Sequence, residues 1–307
     1  VINVLYRKKN PPIVDAVNFK LNLKPYQKFV LDNGVEVYAV DAGAEEVLQT
    51  EWIFSAGNAQ EDKNLVAATT NFLLRNGTIN KTAFQINEQF DYYGSYINRA
   101  CYNETATITL HSLTRHIDNL LPKVRELITD SVMPQEELSI YQQNMKQRLK
   151  VSLKKSDFVA GRLIDVYLYG EKHPYGKYSS AEDFDALKRE ELVDFYKKYY
   201  QQGKLIIFVA GKLPQNLEQL LNTNFGDLPF ANVIEKETAP VLGTEKKVRI
   251  TNDPDGAQGS IRIARPFPNR HHPDFLKAQI LNALFGGFFG SRLMSNIRED
   301  KGYTYGI

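Results

Sequence analysis

The feature that most limits the fold is an approximate internal repeat. The order strand, strand, helix, helix around residues 47–93 returns at an offset of about 210 residues, the mark of a duplicated two-lobed architecture. In the second copy Lys247–Thr251 and Ser260–Ala264 read as strands, and Asp274–Phe285 as an apolar helix buried in a core. Gly286-Gly287 is a break, Ser291–Asp300 a helix and Tyr303–Ile307 a strand. This copy stops inside that strand. A unit of roughly 60 residues cannot mirror one of roughly 225, so the sequence reads as a truncated or processed product. The expected organisation is an extended lead-in over 1–26, a first domain over 27–228, a linker over 229–245 and an incomplete second domain over 246–307.

The first domain has its own punctuation. Asn33-Gly34 sits between two runs rich in β-branched and aromatic residues, Phe29–Leu31 and Val35–Val40, and predicts a hairpin, because Asn-Gly tolerates the positive φ of a tight turn. Leu48–Ser55 reads as a strand. Leu65, Ala68, Thr69, Phe72 and Leu73 fall at helical spacing within 63–75, and Gly77-Thr78 closes that helix. A second helix covers Thr82–Tyr93 and stops at Gly94. Tyr96–Tyr102 and Thr105–Leu110 alternate like a hairpin. Helices follow over His116–Thr129 and, unusually long, over Pro134–Tyr169, with Pro134 suited to a first turn. His173-Pro174-Tyr175-Gly176 breaks the pattern. Glu190–Tyr200 is a helix, Leu205–Ala210 a short buried strand, and Leu217–Leu221 lies in a short helix.

Composition excludes several classes. The chain has 307 residues, with 38 Lys and Arg against 36 Asp and Glu, a net charge of +2 that gives no bulk attraction to nucleic acid. Hydrophobic residues at 43% describe an ordered globular chain. One cysteine, Cys101, excludes an internal disulfide framework and a multi-cysteine zinc cluster. No apolar run reaches the 18 or more residues of a membrane-spanning helix. The stretch from Val1 to Asn10 has no signal-peptide character.

Three stretches in order resemble the pitrilysin/insulinase family of zinc peptidases, particularly its short bacterial branch. They are Phe54–Gly57 with Leu65–Thr78, then His173–Gly176, then Gly286–Tyr305, the last a Gly-rich turn followed by Ser291-Arg292-Leu293 and an Arg…Gly-x-x-Tyr element. The resemblance implies an α+β fold of duplicated domains like those of mitochondrial processing peptidase, each a β-sheet packed by helices. It also implies an inverted zinc motif, H-x-x-E-H, on the helix ending at Gly77-Thr78, with two histidines one turn apart as ligands and a glutamate to activate water.

Those motif positions carry Ala68, Asn71 and Phe72 here. Alanine and phenylalanine have no lone pair for a metal, and an amide is too weak a base to take a proton from water. No shift of register helps, since 63–84 contains no His, Cys, Asp or Glu. The family's third ligand, a glutamate on the long helix, falls near Gln147-Arg148, and Arg148 would repel a cation. This chain is therefore expected to hold no metal or other cofactor.

The resemblance supplies a second half of the chemistry. The family's substrate-binding and oxyanion-stabilising Arg and Tyr match Arg298 and Tyr305, and a guanidinium and a phenol are sensible donors to an oxyanion. Some bacterial members divide the roles between subunits, one with the zinc motif and one with the Arg/Tyr pair. The expectation is the second kind: inactive alone, pairing with a zinc-bearing homologue, closing a chamber and presenting Arg298 and Tyr305 to a peptide. A periplasmic or cell-envelope setting is implied only by analogy with the bacterial relatives. The alternative is a non-catalytic peptide-binding or scaffold protein of the same fold. The remaining features read plainly: His111, His116 and His271-His272 as exposed histidines, His173–Gly176 as a structural turn, and Lys146, Lys150 and Lys154 as a solvated helix face.

Overall fold

A computed structural model describes residues 22–230 and 249–307. In chain order its elements are β1 (Gln27–Val30), β2 (Glu36–Asp41), β3 (Val47–Phe54), α1 (Val66–Leu73), α2 (Ala83–Tyr92), β4 (Tyr96–Cys101), β5 (Ala106–Leu113), α3 (Ile117–Thr129), α4 (Gln135–Ser152), α5 (Ser156–Tyr169), α6 (Ala181–Ala186), α7 (Arg189–Tyr196), β6 (Leu205–Gly211), α8 (Leu217–Phe225) and α9 (Phe275–Asn282). They divide into two units, one of 22–152 with 178–230, the other of 153–177 with 249–307.

The first unit is built on a six-stranded mixed sheet in the order β1-β2-β6-β3-β5-β4. Gly34 turns the β1–β2 hairpin at φ 87°, as its Asn-Gly signal requires. Asn33 also ties this turn to the end of α8, its amide donating to Phe225 O and Leu228 O, each at 2.8 Å. β6 lies parallel to β2 and antiparallel to β3. Leu48, Thr50, Trp52 and Phe54 alternate inward along β3, and Ile108, Leu110, Ile207 and Val209 continue that buried surface on β5 and β6. α3 supplies Leu120, Leu121, Val124, Leu127 and Ile128, and the rings of Trp52 and Phe54 meet Phe225 and Tyr200 at 5.4 and 4.8 Å. α2 begins where Thr82 and Gln85 cap each other's backbone N–H.

The expected long helix is two helices. α4 ends at Ser152, and α5 starts after Lys155, whose backbone is extended at φ −90°, ψ 119°. Basic side chains favour a helix C-terminus and acidic ones an N-terminus, so Lys154-Lys155 followed by Ser156-Asp157 is itself a stop and start.

In the second unit, α5 leads into the turn at His173–Gly176. The buried His173 ring stacks on Tyr169 at 5.3 Å, and its Nδ1 accepts from Tyr175 N at 3.1 Å. Gly176 is packed so that a Cβ would lie 2.1 Å from Gly170 O. Residues 249–251, 260–264 and 303–307 form no strand, contrary to the sequence expectation. An extended segment becomes a strand only where a neighbour completes its hydrogen-bond ladder, and among the described residues none does. α9 is likewise not core: Leu276 is 73% exposed and Leu281 68%. The expected linker lies almost wholly outside the described residues.

Candidate functional site

α1 carries the positions where the resembled family holds its metal. Its first turn has no cap of its own, and Leu65 enters it at φ 73°. The buried Glu61 carboxylate takes that role, accepting from Leu65 N at 3.2 Å and Ala67 N at 2.9 Å. Ala68 is half-buried, Asn71 buried and Phe72 partly exposed.

Asn71 faces the core. Its Nδ2 donates to Tyr200 Oη at 3.0 Å and to Thr107 O at 3.3 Å. Complete burial pushes the Tyr200 phenol well above its ordinary range, so it stays a neutral hydroxyl. Phe72 packs its ring on Tyr141 of α4 at 4.7 Å. The guanidinium carbon of Arg99 lies 5.1 Å from the same ring centroid, and Arg99 Nη1 donates to the Phe72 carbonyl. Three residues on, in the turn after α1, the exchange is returned by Arg75, whose Nη1 donates to Ile97 O of β4 at 3.1 Å. Two guanidiniums thus stitch α1 to β4, each from the opposite side. Burial, and then the neighbouring Arg75, pull Arg99 down to about 10. Burial, with Glu61 adding, pushes the nearby Cys101 thiol up to about 12.

This donor set does not fit zinc. Ala68 and Phe72 offer no electron pair, Asn71 spends its amide on Tyr200, and a fixed cation, Arg99, stands beside them. Arg148, at the expected third position, is exposed on α4. Among the described residues no three His, Cys, Asp or Glu gather where they could hold a metal.

Arg298 lies in a π-helical stretch, Met294–Asp300, with its guanidinium carbon 4.6 Å from the Phe289 ring centroid and Nε 4.0 Å from Glu299 Oε1. Tyr305 is 91% exposed, and no hydrogen bond or ion pair among the described residues joins it to Arg298. His116 rests its ring on Tyr93 at 5.3 Å, His111 on Tyr96 at 6.1 Å, and His272 Nδ1 accepts from Asp274 N at 3.1 Å. Sequence reasoning missed Glu61, Arg75, Arg99 and Tyr200. Arg99 left one signal: it stands two residues from the inward Ile97 on β4, a charge in phase with an apolar position.

Residues 186–307 match the family model described as the peptidase M16 inactive domain. A Helicobacter pylori protein called non-peptidase homolog YmxG is 25% identical over 262 residues, covering 83% of this chain and 60% of its own length. The crystal structure of a peptidase M16 inactive domain from Pseudomonas fluorescens has a TM-score of 0.76 at 24% identity, over 92% of this chain and 69% of that one. The structure of pitrilysin aligns with a TM-score of 0.62 at 16% identity, over 72% of this chain and 25% of that one.

The likeness is to the pitrilysin (M16) family.

The matching pitrilysin-type model is described as an inactive domain and the Helicobacter pylori relative carries a non-peptidase name, while α1 of this chain contains no His, Cys, Asp or Glu. Other curated relatives, from Rickettsia felis and Bacillus subtilis, are called uncharacterized zinc proteases. The chain spans 56–66% of the length of these three curated relatives. Among the described residues no helix is long and apolar enough to cross a membrane.

Proposed function

We propose that this chain is the zinc-less subunit of a two-subunit pitrilysin-type peptidase. It closes the chamber of a zinc-bearing homologous subunit and contributes Arg298 and Tyr305 to peptide binding and oxyanion stabilisation. The observation that carries this reading is the chemistry of α1, where the metal positions Ala68, Asn71 and Phe72 have been absorbed into packing and hydrogen bonding beside the fixed cation of Arg99. Further support comes from the inactive-domain match, which includes the whole Gly286–Tyr305 motif. The half-exposed Arg298 and the open Tyr305 leave both groups available to a ligand.

The test is reconstitution. This protein alone should cleave no peptide, and mixed with its zinc-bearing homologue it should raise the partner's activity. Arg298→Ala in the complex should lower kcat/KM by roughly 10²–10³-fold, the loss typical of one oxyanion donor. An unchanged kcat/KM removes Arg298 from the mechanism.

A second reading, a peptide-binding or scaffold protein that never joins a peptidase, is favoured by one observation, the non-peptidase name of the Helicobacter pylori relative. Peptide binding with no cleavage in any mixture would select it.

A further inference from the structure

We infer that the seam between α1 and β4 is a carboxylate-binding site, with Arg99 as its principal donor. The position from which the resembled family's zinc has been lost now presents positive charge. Two guanidiniums meet there: Arg75 from the turn that follows α1, using one nitrogen on Ile97 O of β4, and Arg99 from β4, using one on Phe72 O of α1. Arg99 Nε is buried and has no hydrogen-bond acceptor. Among the described residues neither arginine has a carboxylate in ion-pair contact, and Asp91 reaches Arg75 only through its field.

A buried donor without a partner costs about 1–3 kcal/mol, and more when it is charged. Two like charges brought together out of water add repulsion. Burial holds both arginines below the ordinary guanidinium range, and at Arg99 the Arg75 charge adds to it, which is the same penalty seen in proton affinity. A carboxylate relieves both costs. With Nη1 engaged on Phe72 O, the Nε edge of Arg99 remains, and the side-on pairing of that edge with two carboxylate oxygens is the favoured geometry for a guanidinium. The Phe72 ring, itself packed on Tyr141, lies against the guanidinium. The seam lies beside β4, an edge strand of the sheet, so a ligand need not displace another strand. The carboxylate could belong to a chain end or to an Asp or Glu side chain of a peptide. The inference does not rest on the proposed zinc-bearing partner.

The test uses the whole chain, labelled with ¹⁵N so that arginine Nε–H resonances are visible, with the Arg99 signal assigned by its loss in Arg99→Lys. Sodium acetate should shift that resonance, while sodium chloride at equal ionic strength should not. Three N-acetylated pentapeptides then compare sources: one with a free C-terminus and no acidic side chain, one amidated and uncharged, and one amidated with a single Glu. At least one carboxylate peptide should bind roughly ten- to a hundredfold more tightly than the uncharged one, as expected of a charge-assisted bond. Arg99→Met should abolish the difference. If that variant does not fold, the acetate shift and the three peptides decide the matter on the native protein. Equal affinity for all three peptides, or an Arg99 resonance that ignores acetate or follows chloride as readily, overturns the inference. Preference for the free-acid peptide assigns a chain end, and preference for the Glu peptide a side chain. Peptide cleavage by a reconstituted complex is read separately, so failure here leaves the subunit proposal standing.

Discussion

Asn71 Nδ2 donates to Tyr200 Oη at 3.0 Å across 129 positions of sequence, joining α1 to the segment just before β6 inside a core where neither group meets water. Replacing Asn71 with Leu leaves the Tyr200 oxygen without its donor, and the expected cost is about 1–3 kcal/mol. Tyr200→Phe removes the acceptor, while the Asn71 amide keeps Thr107 O, so it should cost less. Urea unfolding of both variants and their double mutant checks this. The double mutant should lose clearly less than the sum of the two, since both substitutions break one bond.

Reinstating the family's ligands should not by itself restore a metal site. In a variant carrying Ala68→His, Asn71→Glu and Phe72→His, the new carboxylate lies beside Arg99 and will pair with it. Adding Arg99→Ser and Arg148→Glu removes that cation and supplies a third acidic ligand. Calorimetric zinc titration should show at least roughly tenfold tighter binding for the five-fold variant than for the three-fold one, the gain of a freed charged ligand.

Stability should fall on the alkaline side. Cys101, pushed up to about 12, and Tyr200 and Tyr196, also raised by burial, are acids that stay protonated in the folded chain. In the unfolded chain Cys101 ionises near its ordinary value, so between about pH 9 and 12 the unfolded state binds fewer protons and stability falls as pH rises. Urea midpoints measured from pH 7 to 11 should be level at first and then decline. Cys101→Ala should flatten the early part of the decline, and alkylation of native Cys101 at pH 8 should be far slower than in urea.

Two substitutions separate local backbone causes. Thr82→Ala loses the hydroxyl half of the capping box of α2, the bond from Gln85 N, while the residue 82 N–H keeps Gln85 Oε1, and it should cost about 0.5–2 kcal/mol by thermal or urea unfolding. Gly34→Ala meets open space, so its only penalty is an alanine held at φ 87°, about 1–2 kcal/mol. Gly176→Ala is different in kind, because its Cβ would collide with Gly170 O; hydrogen exchange of the 173–177 amides should accelerate markedly.

Much of the first unit could be read from residue pattern because its signals are local. Asn33-Gly34 needs only its own turn, Thr82 and Gln85 only their own helix end, and the alternation of Leu48, Thr50, Trp52 and Phe54 only its own strand. That Ala68 and Phe72 offer no electron pair was equally legible, since a lone pair is a property of the residue. What surrounds those positions was not. Arg99 and Tyr200 reach α1 only through the sheet, and no pattern within α1 points to them. The break after α4 was written as Lys154-Lys155-Ser156-Asp157, a charge reversal easily overlooked inside a helical run. The expected strands at 260–264 and 303–307 show the opposite limit: alternation marks a face to be covered, but the ladder needs a neighbour that alternation does not name.

The seating of β6 between β2 and β3 has a consequence for synthesis. β1 and β2 join the rest of the sheet only through β6, whose residues leave the ribosome some 160 positions later. Until Leu205–Gly211 emerges, the hairpin has nothing to lie against and β3 shows an open flank, so the nascent chain passes through a long interval with two unsealed edges. A translation pause placed before residue 205 should leave a protease-sensitive intermediate, and the same pause placed once Leu205–Gly211 has cleared the exit tunnel should not.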